Sequence, residues 1–186
     1  MTAPSPTSTR SATRPQQRVR LRAVALAYLA LLALSYVAWG LRDDARALPP
    51  GVSIVPIRAA PGDTAPEVAL AYRDTGPRDA PVLLLLHGSP GGLDDFAALS
   101  PHWERRRRVL AVDLPGFGDS EHDLHDYSSR FHADVVARLL ERLEVPTADV
   151  LGFSMGGPVA LELASANPAR VRSVTLLAAT GVQELE

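Results

Sequence analysis

There is no cysteine and no lysine anywhere in this chain, and no histidine after position 132. Without cysteine there is no disulfide, no thiolate zinc site and no Cys nucleophile to consider. Arginine supplies every basic side chain, which reads as a bias in coding composition and not as function. A net charge of −2 gives no reason to expect a nucleic-acid partner. No internal repeat is visible. Acidic residues are missing from residues 1–22, where Ser, Thr and Pro surround Arg10, Arg14, Arg18, Arg20 and Arg22. Such a tail has too little apolar surface to offset chain entropy and is expected to be disordered.

Charge of either sign is missing from the 18 residues 23–40. As a helix at about 1.5 Å per residue they span roughly 27 Å, close to the ~30 Å hydrocarbon core of a bilayer. Tyr36 and Trp39 stand near the far end, as an interfacial belt would. Three readings stay open: a membrane anchor, a signal peptide cleaved after Ala45-Arg46-Ala47, and a buried core helix. The anchor is the expectation, because the run is longer than the usual signal-peptide core of about 7–15 residues and the flanking charge is lopsided, Arg42 and Arg46 beyond the run being balanced by Asp43 and Asp44. That excess places the N-terminus in the cytoplasm and the rest of the chain outside the cell membrane. The expected organisation is a disordered tail (1–22), a transmembrane anchor (23–40), a linker (41–51) and a folded part (52–186).

The folded part contains what is chemically most informative. Gly152-Phe153-Ser154-Met155-Gly156 follows a short apolar run and opens a helical one. A serine at the apex of a strand–turn–helix is held on a strained turn, and flanking glycines let the two backbones approach. The helix also aims its free N–H groups at the place where an oxyanion would form. Upstream, the apolar run 82–86 ends in His87-Gly88-Ser89-Pro90-Gly91-Gly92, and 109–112 runs into the segment 113–120. Pro90 has no N–H, so Ser89 and the glycines are the donors that loop can offer.

The ordered set HGSPGG (87–92), DLPGFGDS (113–120) and GFSMGG (152–157) resembles the α/β-hydrolase fold superfamily, in its serine-nucleophile esterase, lipase, peptidase and C–C hydrolase branch. The resemblance implies an α/β fold with a mostly parallel sheet flanked by helices, here preceded by the transmembrane helix. It implies Ser154 as nucleophile, the backbone amides of Ser89 and Met155 as oxyanion hole, and His87, Gly88, Gly152 and Gly156 as the structural motif around them. No metal and no cofactor is expected. Dehalogenases and epoxide hydrolases of this superfamily carry an aspartate at the elbow, so serine implies acyl transfer to water instead.

A serine hydroxyl needs a base, and the base an orienting carboxylate. In this fold they follow the serine in the order Asp or Glu, then His. Only 32 residues follow Ser154, with Glu162, Glu184 and Glu186 as their carboxylates and no histidine. Of the five histidines, His87 is expected to fix loop conformation, His102 to cap or pack a surface helix, and His122, His125 and His132 to be solvated. The triad's acid and histidine are therefore expected outside this chain.

Six strands are expected, at 52–57, 68–72, 82–86, 109–112, 148–151 and 171–177, with Pro56 fitting only an edge and a helix over 135–143. The resembled fold has eight, so the chain reads as the front part of a hydrolase, with its last strand left as an unpaired edge. Arg105 to Arg108 read as a solvated helix end. Leu93, Phe117 and Phe153 are candidates to line the acyl side of a pocket and equally to be core. The expected substrate is a small-molecule or lipid-like acyl compound. Two other readings remain: a catalytically incomplete binding or scaffold module, and a split enzyme completed by a second chain.

Overall fold

The computed structural model describes residues 14–43, 47–58 and 67–181. The expectations for 1–13, the turn at 60–63, Arg46 and the terminal Glu184 and Glu186 lie outside the described residues. The chain divides into two units, Met1–Ala47 and Leu48–Glu186, and the boundary falls inside the expected linker.

In the first unit one helix, α1 (Arg14–Asp43), starts inside the segment expected to be a disordered tail. Arginine and glutamine are good helix formers, so a helix nucleated on the apolar run extends back through them. The side chains described in it, 22–38, are all exposed. Among the described residues no helix is long and apolar enough to cross a membrane, so the transmembrane helix expected over 23–40 is not found there.

The second unit is built on a six-stranded sheet. Its strands are β1 (Val52–Arg58), β2 (Glu67–Thr75), β3 (Val82–Leu86), β4 (Arg108–Val112), β5 (Ala148–Phe153) and β6 (Val171–Leu177), in the order β1-β2-β4-β3-β5-β6. β1 and β2 are antiparallel to their neighbours, and β4, β3, β5 and β6 run parallel. Pro56 lies on the outermost strand, where a missing N–H costs no ladder bond. β6 forms the opposite edge, with Leu176 and Leu177 exposed. β2 runs three residues further than its apolar pattern, because Asp74 is paired with Arg78 and Arg108.

The all-apolar sequence of β3 has a direct reason: both sheet faces are covered. Leu84 and Leu86 join the larger core cluster with Val135, Leu139 and Leu140 of α3 (Ser129–Arg142) and Val159 and Leu163 of α4 (Gly156–Ala166). Leu85 points the other way, onto Leu93 and Phe96 of a short 3-10 turn (Leu93–Phe96), with Trp103 of α2 (Ser100–Trp103) alongside. Ser128 caps α3, its hydroxyl accepting the Phe131 N–H at 3.1 Å. Burying that amphipathic helix is what holds the parallel strands in one layer. Every parallel strand therefore ends at the same edge of the sheet, and the three motif loops meet there.

Candidate active site

Ser154 sits on the turn between β5 and α4 with φ at +50°, in the left-handed region that non-glycine residues rarely adopt. Strain of this kind persists only where the surroundings over-determine it. Here the Ser154 N–H donates to the Leu177 carbonyl at 3.0 Å, and the Ser154 carbonyl accepts the amides of Gly157 and Thr180 at 3.0 and 3.1 Å. Two glycines make the turn sterically feasible. A Cβ on Gly156 would collide with the Leu86 carbonyl, and one on Gly152 with the Gly156 carbonyl. The expected elbow is thus present, held between β6 and the end of β3.

The loop after β3 lies directly against it. Gly88 is buried, and a Cβ there would stand 3.0 Å from the Ser154 Cβ and 3.2 Å from the Phe153 ring. Met155 occupies the N-cap position of α4, so its N–H belongs to the unsatisfied first turn of that helix. Ser89 follows at the exposed mouth of the loop. Met155 is thus next to Ser154 at the head of α4, and Ser89 is one residue beyond Gly88, which lies against Ser154.

His87 is fully buried and holds this loop in place. Its Nε2 accepts the Leu114 N–H at 2.9 Å, so the ring hydrogen is on Nδ1, which donates to the Gly88 carbonyl at 2.7 Å. Both ring nitrogens are thereby occupied, and His87 is not available as a base for Ser154. Phe117 meets the ring edge-on at a centroid distance of 5.2 Å. Burial lowers the His87 pKa below its ordinary value, opposed by the Gly88 hydrogen bond and by Asp113 and Asp95.

His132 corrects an expectation. It is not solvated but buried on α3, 2% exposed, with Phe117 and Phe131 at ring distances of 6.5 and 6.1 Å. The amphipathic face of α3 begins one turn earlier than its aliphatic residues show, and His132 falls on it. Its Nδ1 has no hydrogen-bond partner, and burial, followed by the nearby His87, pushes its pKa down. His122 and His125 are exposed, as expected, and His102 is exposed on α2. Among the described residues no imidazole is hydrogen-bonded to the Ser154 hydroxyl. Glu162, on α4, faces Arg130 at 3.9 Å and orients no histidine.

Asp113 is the residue that sequence reasoning missed. Buried at the end of β4, its Oδ1 accepts the Leu93 N–H at 2.7 Å and its Oδ2 the Asp119 N–H at 3.0 Å. Ser120 completes the knot, donating to the Asp113 carbonyl at 2.6 Å and accepting the Ala71 N–H at 2.8 Å. One carboxylate thus ties the HGSPGG loop to the DLPGFGDS loop. Its place, the first residue after a buried strand and the counterpart of His87 after β3, was the available signal.

The fold has counterparts among known proteins. The family model of the alpha/beta hydrolase fold matches residues 81–185. The chain belongs to the alpha/beta hydrolase fold family. A 2-hydroxymuconate semialdehyde hydrolase from Pseudomonas sp. is 38% identical over 104 residues, covering 54% of this chain and 37% of the relative. A haloalkane dehalogenase from Psychrobacter cryohalolentis is 34% identical over 125 residues, or 64% of this chain and 41% of the relative. A crystal structure of a membrane phospholipase A, a bacterial virulence factor, superposes with a TM-score of 0.63 at 29% identity, covering 91% of this chain and 54% of the other. The chain therefore spans less than half the length of these curated relatives.

Of the pocket candidates, Leu93 is core, Phe117 packs on His87, and Phe153 lies beside Gly88. A cavity of about 600 Å³ lies elsewhere, lined by Val68, Leu124 and Phe131 among carboxylates near the start of β2.

Proposed function

We propose that this chain carries the nucleophile of a serine hydrolase that cleaves an ester, amide or related acyl bond. The observation that carries the reading is the strained backbone of Ser154, φ +50°, pressed against Gly88 at the head of α4. The Ser154 oxygen would attack the carbonyl carbon while its proton passes to a base, and the carbonyl electrons would move onto the oxygen facing the Met155 and Ser89 amides. Collapse would expel the leaving group, which takes up a proton, and water would then release the acyl group and restore the serine. The relatives include a 2-hydroxymuconate semialdehyde hydrolase and a haloalkane dehalogenase. Serine at the elbow favours the acyl route. The test is covalent labelling by a fluorophosphonate. The whole protein should label and Ser154→Ala should not, whereas equal labelling of both would sink the proposal.

A second reading has its own observation. No imidazole reaches the Ser154 hydroxyl among the described residues, which favours a binding or scaffold module should no base be supplied from elsewhere. Fluorophosphonate labelling of the wild-type protein separates the two.

Membrane attachment through residues 23–40 is part of the first reading, with the hydrolase part outside the cytoplasm. Val24, Leu26, Leu31 and Leu34 of α1 are each about two-thirds exposed, an apolar surface that water would disfavour. The likeness to the membrane phospholipase A also extends beyond the second unit, since it covers 91% of the chain. The chain should stay with the membrane pellet in alkaline carbonate, and its release there would contradict the anchor.

A further inference from the structure

The cavity of about 600 Å³ near the start of β2 has no part in the reaction proposed for Ser154. The described residues that line it come from the first two positions of β2, from residues 121–126 and from the first turns of α3, not from the loops at 87–92 or 152–157. Its volume falls within the range of about 300–1,000 Å³ usual for small-molecule sites. One wall is apolar. Val68 is buried in β2, and Leu124 and Phe131 are partly buried and pack against the main core cluster.

The charged groups around that wall are mostly acidic. Glu67, Glu121, Asp123, Asp126 and Asp134 line the cavity, with Arg130 and His125 as the groups able to carry positive charge among the described residues. Arg130 is already shared between Asp134 at 3.2 Å and Glu162 at 3.9 Å, and Glu67 is paired with Arg58 at 3.3 Å. Glu121, Asp123 and Asp126 have no arginine partner among the described residues. Backbone amides fix two of them instead. Glu121 Oε1 accepts the His122 and Asp123 N–H groups at 3.1 and 3.2 Å, and Asp126 Oδ1 accepts the Ser128 N–H at 2.7 Å. Among the described residues no three acidic or imidazole groups converge to hold a metal ion. A compact metal ion needs converging ligands, whereas a bulky organic cation needs only nearby negative charge and apolar surface.

We propose that this cavity is a binding site for a small organic cation with an apolar body, an aryl- or alkylammonium compound. The apolar part lies on Val68, Leu124 and Phe131, and the cationic head stands beside Glu121, Asp123 and Asp126. A quaternary ammonium also gains from the face of the Phe131 ring. The unpaired carboxylates reject an anion of the same shape, because like charges repel across an apolar wall. The site is separate from Ser154 and does not depend on its chemistry.

Calorimetric titration of the whole protein with benzyltrimethylammonium tests it. Expected is saturable binding to one site per chain, weakening as salt is added. Tetramethylammonium, which lacks the apolar body, and phenylacetate, which carries the opposite charge, should bind at least several-fold more weakly. The Glu121→Gln/Asp123→Asn variant keeps the acceptor at position 121 and should lose affinity several-fold. Leu124→Arg, which puts a guanidinium into the cavity, should abolish binding, with circular dichroism showing that both variants are folded. Unchanged affinity in both would place the ligand elsewhere and overturn the site. Phenylacetate bound as tightly as the cation would overturn the charge selection. If saturating cation protects Ser154 from the fluorophosphonate, the cavity is not a separate site. An oligo-arginine peptide bound more tightly than benzyltrimethylammonium would overturn the small-molecule assignment in favour of a protein partner. A protein that binds the cation as expected but does not label at Ser154 keeps this site and loses only the proposal on the serine.

Discussion

The His87 imidazole accepts the Leu114 backbone N–H at 2.9 Å, and this bond joins the ends of β3 and β4 beneath the Ser154 loop. It exists only while Nε2 carries no proton. Burial lowers the pKa of both His87 and His132, whereas an unfolded imidazole titrates near ~6.5. The unfolded chain then binds more protons than the folded one as the pH falls below that value. The stabilisation from neutral imidazoles is complete above about pH 6.5 and is lost as the pH falls through the depressed folded values. The melting temperature of the Leu48–Glu186 unit should drop reversibly between about pH 7 and pH 5. His132→Leu, which also removes the unpartnered Nδ1, should flatten that slope. A melting temperature insensitive to pH over this window would contradict the assignment.

Asp113 serves two loops with two oxygens, so Asp113→Asn should break one of them. An asparagine has one acceptor oxygen and presents an NH2 to the other amide. The cost should be about 1–3 kcal/mol, as for a buried donor left without a partner. Urea unfolding measures it, and fluorophosphonate labelling of Ser154 should slow in parallel. Wild-type stability together with wild-type labelling would show that Asp113 does not hold the loops.

The elbow glycines predict a steric result. Gly156→Ala puts a methyl group onto the Leu86 carbonyl, which belongs to a central strand and has little room to move. Destabilisation of about 1–3 kcal/mol or more is expected from such overpacking, read as a lower urea midpoint. Gly181→Ala meets nothing within 4 Å and is the control for added volume, although its φ of +76° carries a backbone penalty of its own.

At the other end of the sheet, Asp149 joins three strands' worth of chain. It accepts Arg172 Nε at 2.9 Å, Ser173 Oγ at 2.6 Å and the Arg107 guanidinium. Arg172 first, then Ser173 and Arg107, hold its carboxyl well below the usual carboxylate range. Its contribution is present above the unfolded pKa of about 3.9 and is lost as the pH falls below that value. Asp149→Ala should cost about 1–3 kcal/mol at neutral pH and reduce the acid sensitivity of unfolding below about pH 4. An unchanged urea midpoint would mean that solvent screening has already cancelled the pairs.

Much of the fold was legible because its signals are local. All six strands lie where apolar runs between turn residues placed them, and Pro56 falls on an edge because no interior ladder tolerates it. Ser154 was legible because glycines on either side of a serine between a strand and a helix leave few other geometries. Arg107 and Arg108 were not. A run of four arginines reads as a solvated helix end, yet Arg108 opens β4 and both side chains close ion pairs with residues 34 or more positions away. His132 was misread because the segment leading to it, 121–130, is polar, whereas in the structure it packs beside Phe131 and Phe117, the latter 15 residues away.

What the sequence determined by itself is therefore the serine-bearing turn between β5 and α4 and the set of strands, all consequences of backbone sterics and apolar periodicity over a few residues. Tertiary structure decided the rest. It placed β4 between β2 and β3, brought Asp113 and His87 under one loop, and fixed the His87 tautomer through the Leu114 amide. It also paired Arg107 and Arg172 with Asp149 and Arg108 with Asp74. These depend on which strand ends lie side by side, and that is settled only when the helices bury both faces of the sheet.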